Sequence, residues 1–190
     1  RFRLPVRSGE ENLAESWMKK NGIPIMGQVE CGYIEGGDMH LIDRHTLCVG
    51  VGARSSREGC ASTQKWMDRF NIKVVPLDFD YKYLHLDLLF VLIAEKICIA
   101  CEVGLPGLFE KMIKDLKFDV IRISEKEAME LKCNVLPLGD GRILSTKGNK
   151  KVNAALKARG FTVYDPSLTM FTSGGGGPRC LTFPLERDPV

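Results

Sequence analysis

No long hydrophobic run occurs in these 190 residues. The longest apolar stretch, LHLDLLFVLIA (84–94), contains His85 and Asp87 and is too short to cross a bilayer, so no membrane segment is expected. There is no block of five like charges and no basic run interleaved with aromatic residues. The 27 basic and 24 acidic residues are spread along the chain and leave a net charge of +3, so a nucleic-acid partner is not expected. No GK[ST] loop exists, and Gly50 and Gly52 of VGVG lack the third glycine of a dinucleotide fingerprint, which leaves nucleotide binding unsupported. No signal peptide stands at Arg1. The seven cysteines are irregularly spaced and odd in number, which does not suit a disulfide framework, so a reducing cytoplasm is the expected compartment. What is present is 44% hydrophobic and 27% charged, an ordinary soluble composition long enough for one domain with a substantial core.

Periodicity gives one short pattern three times. HTLCVGV (45–51), REGCASTQKWMDRF (57–70) and NIKVVPLD (71–78) read as strand, helix and strand. KICIACEV (96–103), LPGLFEKMIKDL (105–116) and KFDVIRIS (117–124) repeat that order, with Leu108, Met112 and Ile113 as the apolar helix positions. GRILSTK (141–147), NKKVNAALKARG (149–160) and FTVYDPS (161–167) repeat it again. A further extended piece precedes each: YIEGGDMHLI (33–42), LHLDLLFVLI (84–93) and CNVLPLG (133–139). The unit is therefore an α/β module of strand, strand, helix, strand with a period of about 45–50 residues.

The opening falls inside such a module. ENLAESWMKKNG (11–22) reads as a helix and IPIMGQVE (23–30) as the strand after it, with no strand pair before them. The expected organisation is one domain over 1–190, with a partial module at 1–30 and modules at 31–80, 81–130 and 131–190. Modules of this kind complete their cores against neighbours. Three and a half of them look like an incomplete ring, with one or more further modules expected upstream, on a missing segment or on a complementary chain; a homo-oligomer is left open as a separate reading.

Two of the extended pieces carry charge where a buried strand ordinarily would not. IEGGDMHLI sets Glu35 and Asp38 around Gly36 and Gly37. LHLDLLFVLI sets His85 two residues before Asp87, which in a strand would point them to one side. Unpaired burial of such groups is costly, so they are expected to meet partners or a ligand; for His85 alone, a satisfied core histidine is the competing reading. The chain then places four glycines before Pro178, Arg179 and Cys180, in SGGGGPRCLT (173–182), followed by LTFPL, which reads as a buried strand. Glycine belongs where the backbone needs positive φ or a very close approach, so the run reads either as a structural turn or as a functional loop.

EGGD (35–38), HLD (85–87) and GGGGPRC (174–180), in that order, resemble the guanidino-group modifying enzymes: arginine deiminases, dimethylarginine dimethylaminohydrolases and amidinotransferases. The resemblance runs from about Gly32 to Asp188, and NAALKARGFTV (153–163) and CLTFPLERD (180–188) are similar to the C-terminal end of arginine deiminases. It implies the pentein fold, a five-bladed α/β propeller of ββαβ modules around a central site.

It also implies residue roles. Cys180 matches the nucleophile, since attack on a charge-delocalised guanidinium carbon calls for a thiolate. His85 matches the acid/base residue and Glu35 the carboxylate that orients it. Asp87 matches a clamp on the guanidinium nitrogens, and Asp38 a support for the GGD turn. Gly176 and Gly177 would let backbone close around the substrate. Arg54, in VGARSSREG, matches an arginine that holds a substrate α-carboxylate by a strong ionic contact, which favours an amino-acid substrate over agmatine. Arg179 matches the residue before the nucleophile without an assignable role. Carboxylates beside Cys180 are expected to raise its pKa until a cation docks.

The family's further clamping aspartate lies upstream of EGGD, so the 190 residues alone are expected to turn over poorly. No cofactor and no metal are expected. Cys98 and Cys101 form a lone CxxC, which in a strand puts the two on opposite faces, and a mixed set of His85, Asp87, Glu35 and Cys180 is an unusual chelate. The leading expectation is a hydrolase that converts arginine or a methylated arginine to citrulline through a covalent thiouronium intermediate. The alternatives are an amidinotransferase and a non-catalytic subunit.

Overall fold

Apolar alternation closed by short turns builds small sheets here, and each sheet is backed by one helix. A computed structural model describes residues 2–185. The chain folds as two compact units, Arg1–Leu86 and Asp87–Val190, whose boundary falls inside the expected 81–130 module.

The first unit contains α1 (Glu10–Lys20), β1 (Met39–Asp43), β2 (Thr46–Val51), α2 (Arg57–Met67) and β3 (Lys73–Asp78). Acidic residues open α1 and lysines close it, which complements the helix dipole. The sheet order is β1-β2-β3, with β1 antiparallel to β2 and β2 parallel to β3. A parallel pair needs a crossover, and α2 provides it. Ser56 caps α2 by accepting the Gly59 N–H, and its hydroxyl oxygen also accepts the Tyr33 N–H. Leu47, Val49, Cys60, Met67 and Val74 form the core between helix and sheet.

The second unit repeats that arrangement twice. β4 (Phe90–Ala94), β5 (Ile97–Ala100), α3 (Gly107–Asp115) and β6 (Asp119–Arg122) form one module. A short helix α4 (Glu125–Met129) follows, opened by a reciprocal capping box between Ser124 and Glu127. β7 (Leu136–Gly139), β8 (Arg142–Leu144), α5 (Lys150–Lys157) and β9 (Thr162–Tyr164) form the other module, and α6 (Thr169–Thr172) comes after it. The β7–β8 hairpin turns at Asp140 and Gly141, both with positive φ, as a tight hairpin of this hand requires. Phe90 meets Phe109 edge-on, with ring centroids 4.7 Å apart.

Several expectations are corrected. IPIMGQVE and LTFPL read as strands, yet neither joins a ladder, and without a paired neighbour an extended segment gains no strand. Leu181, Phe183 and Leu185, expected to be buried, are exposed. Residues 186–188 of CLTFPLERD lie outside the described residues. On α3 the buried positions are Phe109 and Ile113, whereas Leu108 is exposed, because the face meeting the sheet is set by the Phe109–Phe90 contact. His85 and Asp87 do not share a strand face: Leu86–Leu88 is a single 3₁₀ turn and the strand starts later, at Phe90. The turn forms because the Leu86 N–H donates to the Asp38 carboxylate at 2.9 Å, which competes with strand geometry. Among the described residues no helix is long and apolar enough to cross a membrane.

Candidate active site

In the first unit the chemistry gathers on Glu35, which sits on extended backbone just before the Gly36–Asp38 turn and is only 3% exposed. Its Oε1 accepts from Arg54 Nε at 2.8 Å. Its Oε2 lies 3.1 Å from His85 Nε2 and accepts from Arg7 Nη1 at 3.1 Å. Burial pushes the Glu35 pKa up, but the hydrogen bonds of His85 and Arg54 and the charge of Arg54 outweigh it and hold the carboxyl at about 2. This side chain is therefore an anion that fixes the imidazole in orientation.

The turn around it is braced from below. Asp38 is fully buried; its Oδ2 accepts from the Ser55 hydroxyl at 2.6 Å and its Oδ1 from the Leu86 N–H at 2.9 Å. The Ser55 oxygen in turn accepts the Glu35 N–H at 3.0 Å. Arg54, expected to meet a substrate carboxylate, has its Nε on Glu35. Arg7, on the Pro5–Arg7 turn, was not singled out by sequence reading; an arginine 28 positions before its partner in a polar segment gives no local signal.

In the second unit the chemistry gathers on Asn134, which is 1% exposed and held just before β7. Its N–H donates to the Leu131 carbonyl, while the preceding Lys132 carbonyl accepts from Asn149. The amide nitrogen of Asn134 donates to Cys180 Sγ at 3.0 Å and to Asp87 Oδ2 at 3.2 Å. Its carbonyl oxygen accepts the N–H groups of Arg179 and Cys180 at 3.1 and 3.2 Å. Cys180 Sγ also donates to Asp87 Oδ2 at 3.7 Å, and Arg179 Nε stands 3.8 Å from the same oxygen.

This arrangement accounts for the glycine run. Gly177 lies against Asn134, where a Cβ would come within 2.6 Å of the amide oxygen, so only glycine allows the approach. Gly176 faces Cys180, and a Cβ there would stand 3.1 Å from that of the cysteine. Cys180 is exposed as a residue, yet partial desolvation of its sulfur, then the charge of Asp87, push the thiol up, while the Gly177 backbone and the Asn134 amide pull it partly back. Desolvation thus leads, with one carboxylate second, whereas the sequence suggested several carboxylates. Asn134 was missed because asparagine in CNVLPLG reads as an ordinary strand-edge residue; its weight comes from partners 45–47 positions away.

The structure therefore brings Glu35, Arg54 and His85 together over Asp38 in one unit, and Asp87, Gly176, Gly177 and Cys180 together around Asn134 in the other. Among the described residues no group of three or more His, Cys, Asp and Glu side chains is placed to hold a metal ion.

A family model described as N,N dimethylarginine dimethylhydrolase, eukaryotic, matches residues 4–187. The chain belongs to this family. It is thereby a member of the guanidino-group modifying (pentein) superfamily, which solved structures also support. Over 98% of its length this dimethylarginine dimethylhydrolase family member is similar to the N-terminal domain of ArgZ, a cyanobacterial arginine dihydrolase solved with its product, at a TM-score of 0.83 and 26% identity, covering 68% of that chain. It is 31% identical to the protein YkgA of Bacillus subtilis over 96% of this chain and 62% of YkgA. It is 29% identical to AgrE of Nostoc, a bifunctional arginine dihydrolase/ornithine cyclodeaminase, over all of this chain and 27% of AgrE. The chain spans 62–66% of the length of the first curated relatives it matches.

Proposed function

We propose that this chain supplies the nucleophile, the acid/base residue and guanidinium clamps of a hydrolase that converts arginine or a methylated arginine to citrulline, releasing ammonia or an alkylamine. The carrying observation is the Cys180 sulfur hydrogen-bonded to a buried amide and standing 3.7 Å from the Asp87 carboxylate. A soft nucleophile beside a fixed anion suits a planar cationic electrophile. Family membership and the arginine dihydrolase relatives support the same reading.

In the proposed mechanism both clusters serve one substrate, and the three ββαβ modules are sectors of an α/β propeller. Asp87 receives the guanidinium nitrogens, and the cation's charge favours loss of the Cys180 proton. The thiolate attacks the guanidinium carbon and forms a C–S bond. The imidazolium of His85, oriented by Glu35, protonates the departing nitrogen as the C–N bond breaks, leaving a thiouronium. The neutral imidazole then takes a proton from water, whose oxygen bonds to the same carbon. Collapse breaks the C–S bond as the hydroxyl proton passes to the leaving sulfur, which restores the Cys180 thiol and leaves the ureido group of citrulline. No group beyond thiol, imidazole and carboxylate is required.

The test incubates the protein with arginine, with dimethylarginine, and with arginine plus glycine or lysine, and measures citrulline, ornithine and amidino-transfer product. Citrulline is the expected product, abolished by Cys180→Ser with folding intact. His85→Gln should accumulate a Cys180 adduct visible by intact mass. Ornithine with a transferred amidino group would replace hydrolysis by transfer, and full turnover by the Cys180→Ser protein would overturn the assignment.

A further inference from the structure

Asn134 is the point where the loop bearing the cysteine, the cysteine itself and the neighbouring carboxylate meet. An asparagine side chain offers two N–H donors and a carbonyl oxygen with two lone pairs. All four are used: Nδ2 on Cys180 Sγ at 3.0 Å and on Asp87 Oδ2 at 3.2 Å, and Oδ1 on the Arg179 and Cys180 N–H groups at 3.1 and 3.2 Å. The residue is 1% exposed, so water cannot replace a lost bond cheaply. The bond to sulfur is also the one that strengthens on ionisation. In the thiol form the sulfur donates to Asp87; in the thiolate form that contact turns repulsive, while the Asn134 N–H becomes a charge-assisted donor.

We propose that Asn134 is the positioning residue of the nucleophile: its carbonyl fixes the Arg179–Cys180 turn, and its amide presents the sulfur beside Asp87 and favours the thiolate over the thiol. The catalytic consequence rests on the guanidino-hydrolase reading; the effect on the sulfur does not. Among the described residues, Asp87 stands against this sulfur, Arg179 reaches Asp87, and Cys133, whose thiol burial and the charge of Asp87 push well up, directly precedes Asn134 in the chain.

The experiment follows alkylation of Cys180 by iodoacetamide, read peptide by peptide by mass spectrometry, from about pH 6 to about pH 11. Asn134→Asp keeps the acceptor and removes both donors. The midpoint is expected to rise by about one unit, so alkylation below it slows about tenfold. Asn134→Leu, uncharged and of similar volume, must shift the midpoint in the same direction; a shift confined to Asn134→Asp would be repulsion by the new carboxylate and would overturn the proposal. In turnover, kcat should fall with KM held within about threefold and should recover as pH rises, a profile that a mere loss of packing would not produce.

Should neither variant fold, the parent protein answers directly. The Asn134 side-chain amide resonances must titrate with the Cys180 midpoint and lose that titration in Cys180→Ser; an amide blind to pH overturns the assignment. A midpoint shift with no turnover by the parent would refute the hydrolase reading alone.

Discussion

Two buried carboxylates, one in each unit, are handled in opposite ways. Glu35 and Asp87 are each 3% exposed. Glu35 is met by Arg54, Arg7 and His85, all cationic or able to become so, and its pKa is held at about 2. Asp87 takes the Asn134 amide and the Cys180 thiol, with the Arg179 nitrogen farther off at 3.8 Å. The first arrangement spends its charge inside the protein and fixes an imidazole. The second sets a carboxylate against a thiol, and its negative field raises the thiol's pKa. One cluster thus sets cations of the chain around its carboxylate, while the other sets its carboxylate against a thiol, whose ionisation an incoming cation would ease.

The largest expected effect breaks the first arrangement. Glu35→Gln removes the anion between buried Arg54 and His85 and leaves a nearly buried guanidinium without its counter-charge. Losing one partner of a buried pair costs about 3–5 kcal/mol, so the urea midpoint of the first unit should fall sharply. An unchanged midpoint would mean that the surrounding arginines are solvated in the folded state. The loss of the Arg179 contact at Asp87 should cost far less, since that guanidinium stands 3.8 Å off and keeps access to water.

Acid should separate the two clusters next. Glu35 lies at about 2 in the folded state against an ordinary value of 4.5, so its contribution is complete above about 4.5 and is lost as pH falls towards 2. That displacement corresponds to roughly 3 kcal/mol. Stability of the first unit followed from pH 6 downwards should decline across that window, and Glu35→Gln should flatten the decline. A parent and a variant with parallel curves would show that other carboxylates carry the acid sensitivity.

The contrast also explains what sequence could reveal. The three ββαβ repeats were legible because each rests on local periodicity, visible within HTLCVGV or KICIACEV and closed by a helix of apolar spacing. Glu35, His85, Asp87 and Cys180 stood out as chemistry-bearing residues set among glycines or at the head of an apolar run. What was not legible depended on distant partners. The Leu86–Leu88 turn exists because Asp38, 48 residues earlier, accepts the Leu86 N–H, so LHLDLLFVLI read as one strand when only its second half is one. Arg7 and Asn134 carry ordinary local sequence and acquire their roles only through contacts across 28 and 45–47 residues. LTFPL failed for the complementary reason: its apolar alternation is real, but no strand stands beside it to complete a ladder. α4, with its Ser124–Glu127 capping box, was not anticipated, because the repeat pattern passes over it.

The smallest effect sharpens the other side. Asp87→Asn exchanges the carboxylate for a neutral amide of the same shape, so the Cys180 thiol loses the repulsion that opposes its ionisation. Because partial desolvation of the sulfur, in a residue otherwise exposed, leads in raising the thiol pKa and Asp87 comes second, the pKa should fall without returning to the ordinary thiol value. The shift expected from one carboxylate at this distance is about one unit, or about tenfold faster alkylation at a fixed pH below the midpoint. On the proposed mechanism turnover should fall in the same variant, since the proposed guanidinium clamp is lost while the thiolate becomes more available. These opposed directions, faster alkylation with slower hydrolysis, are what a purely structural Asp87 could not produce, because loosening the loop would slow both or expose the sulfur without regard to pH. An alkylation midpoint identical to the parent's would assign the raised pKa to burial alone and remove the electrostatic half of the comparison.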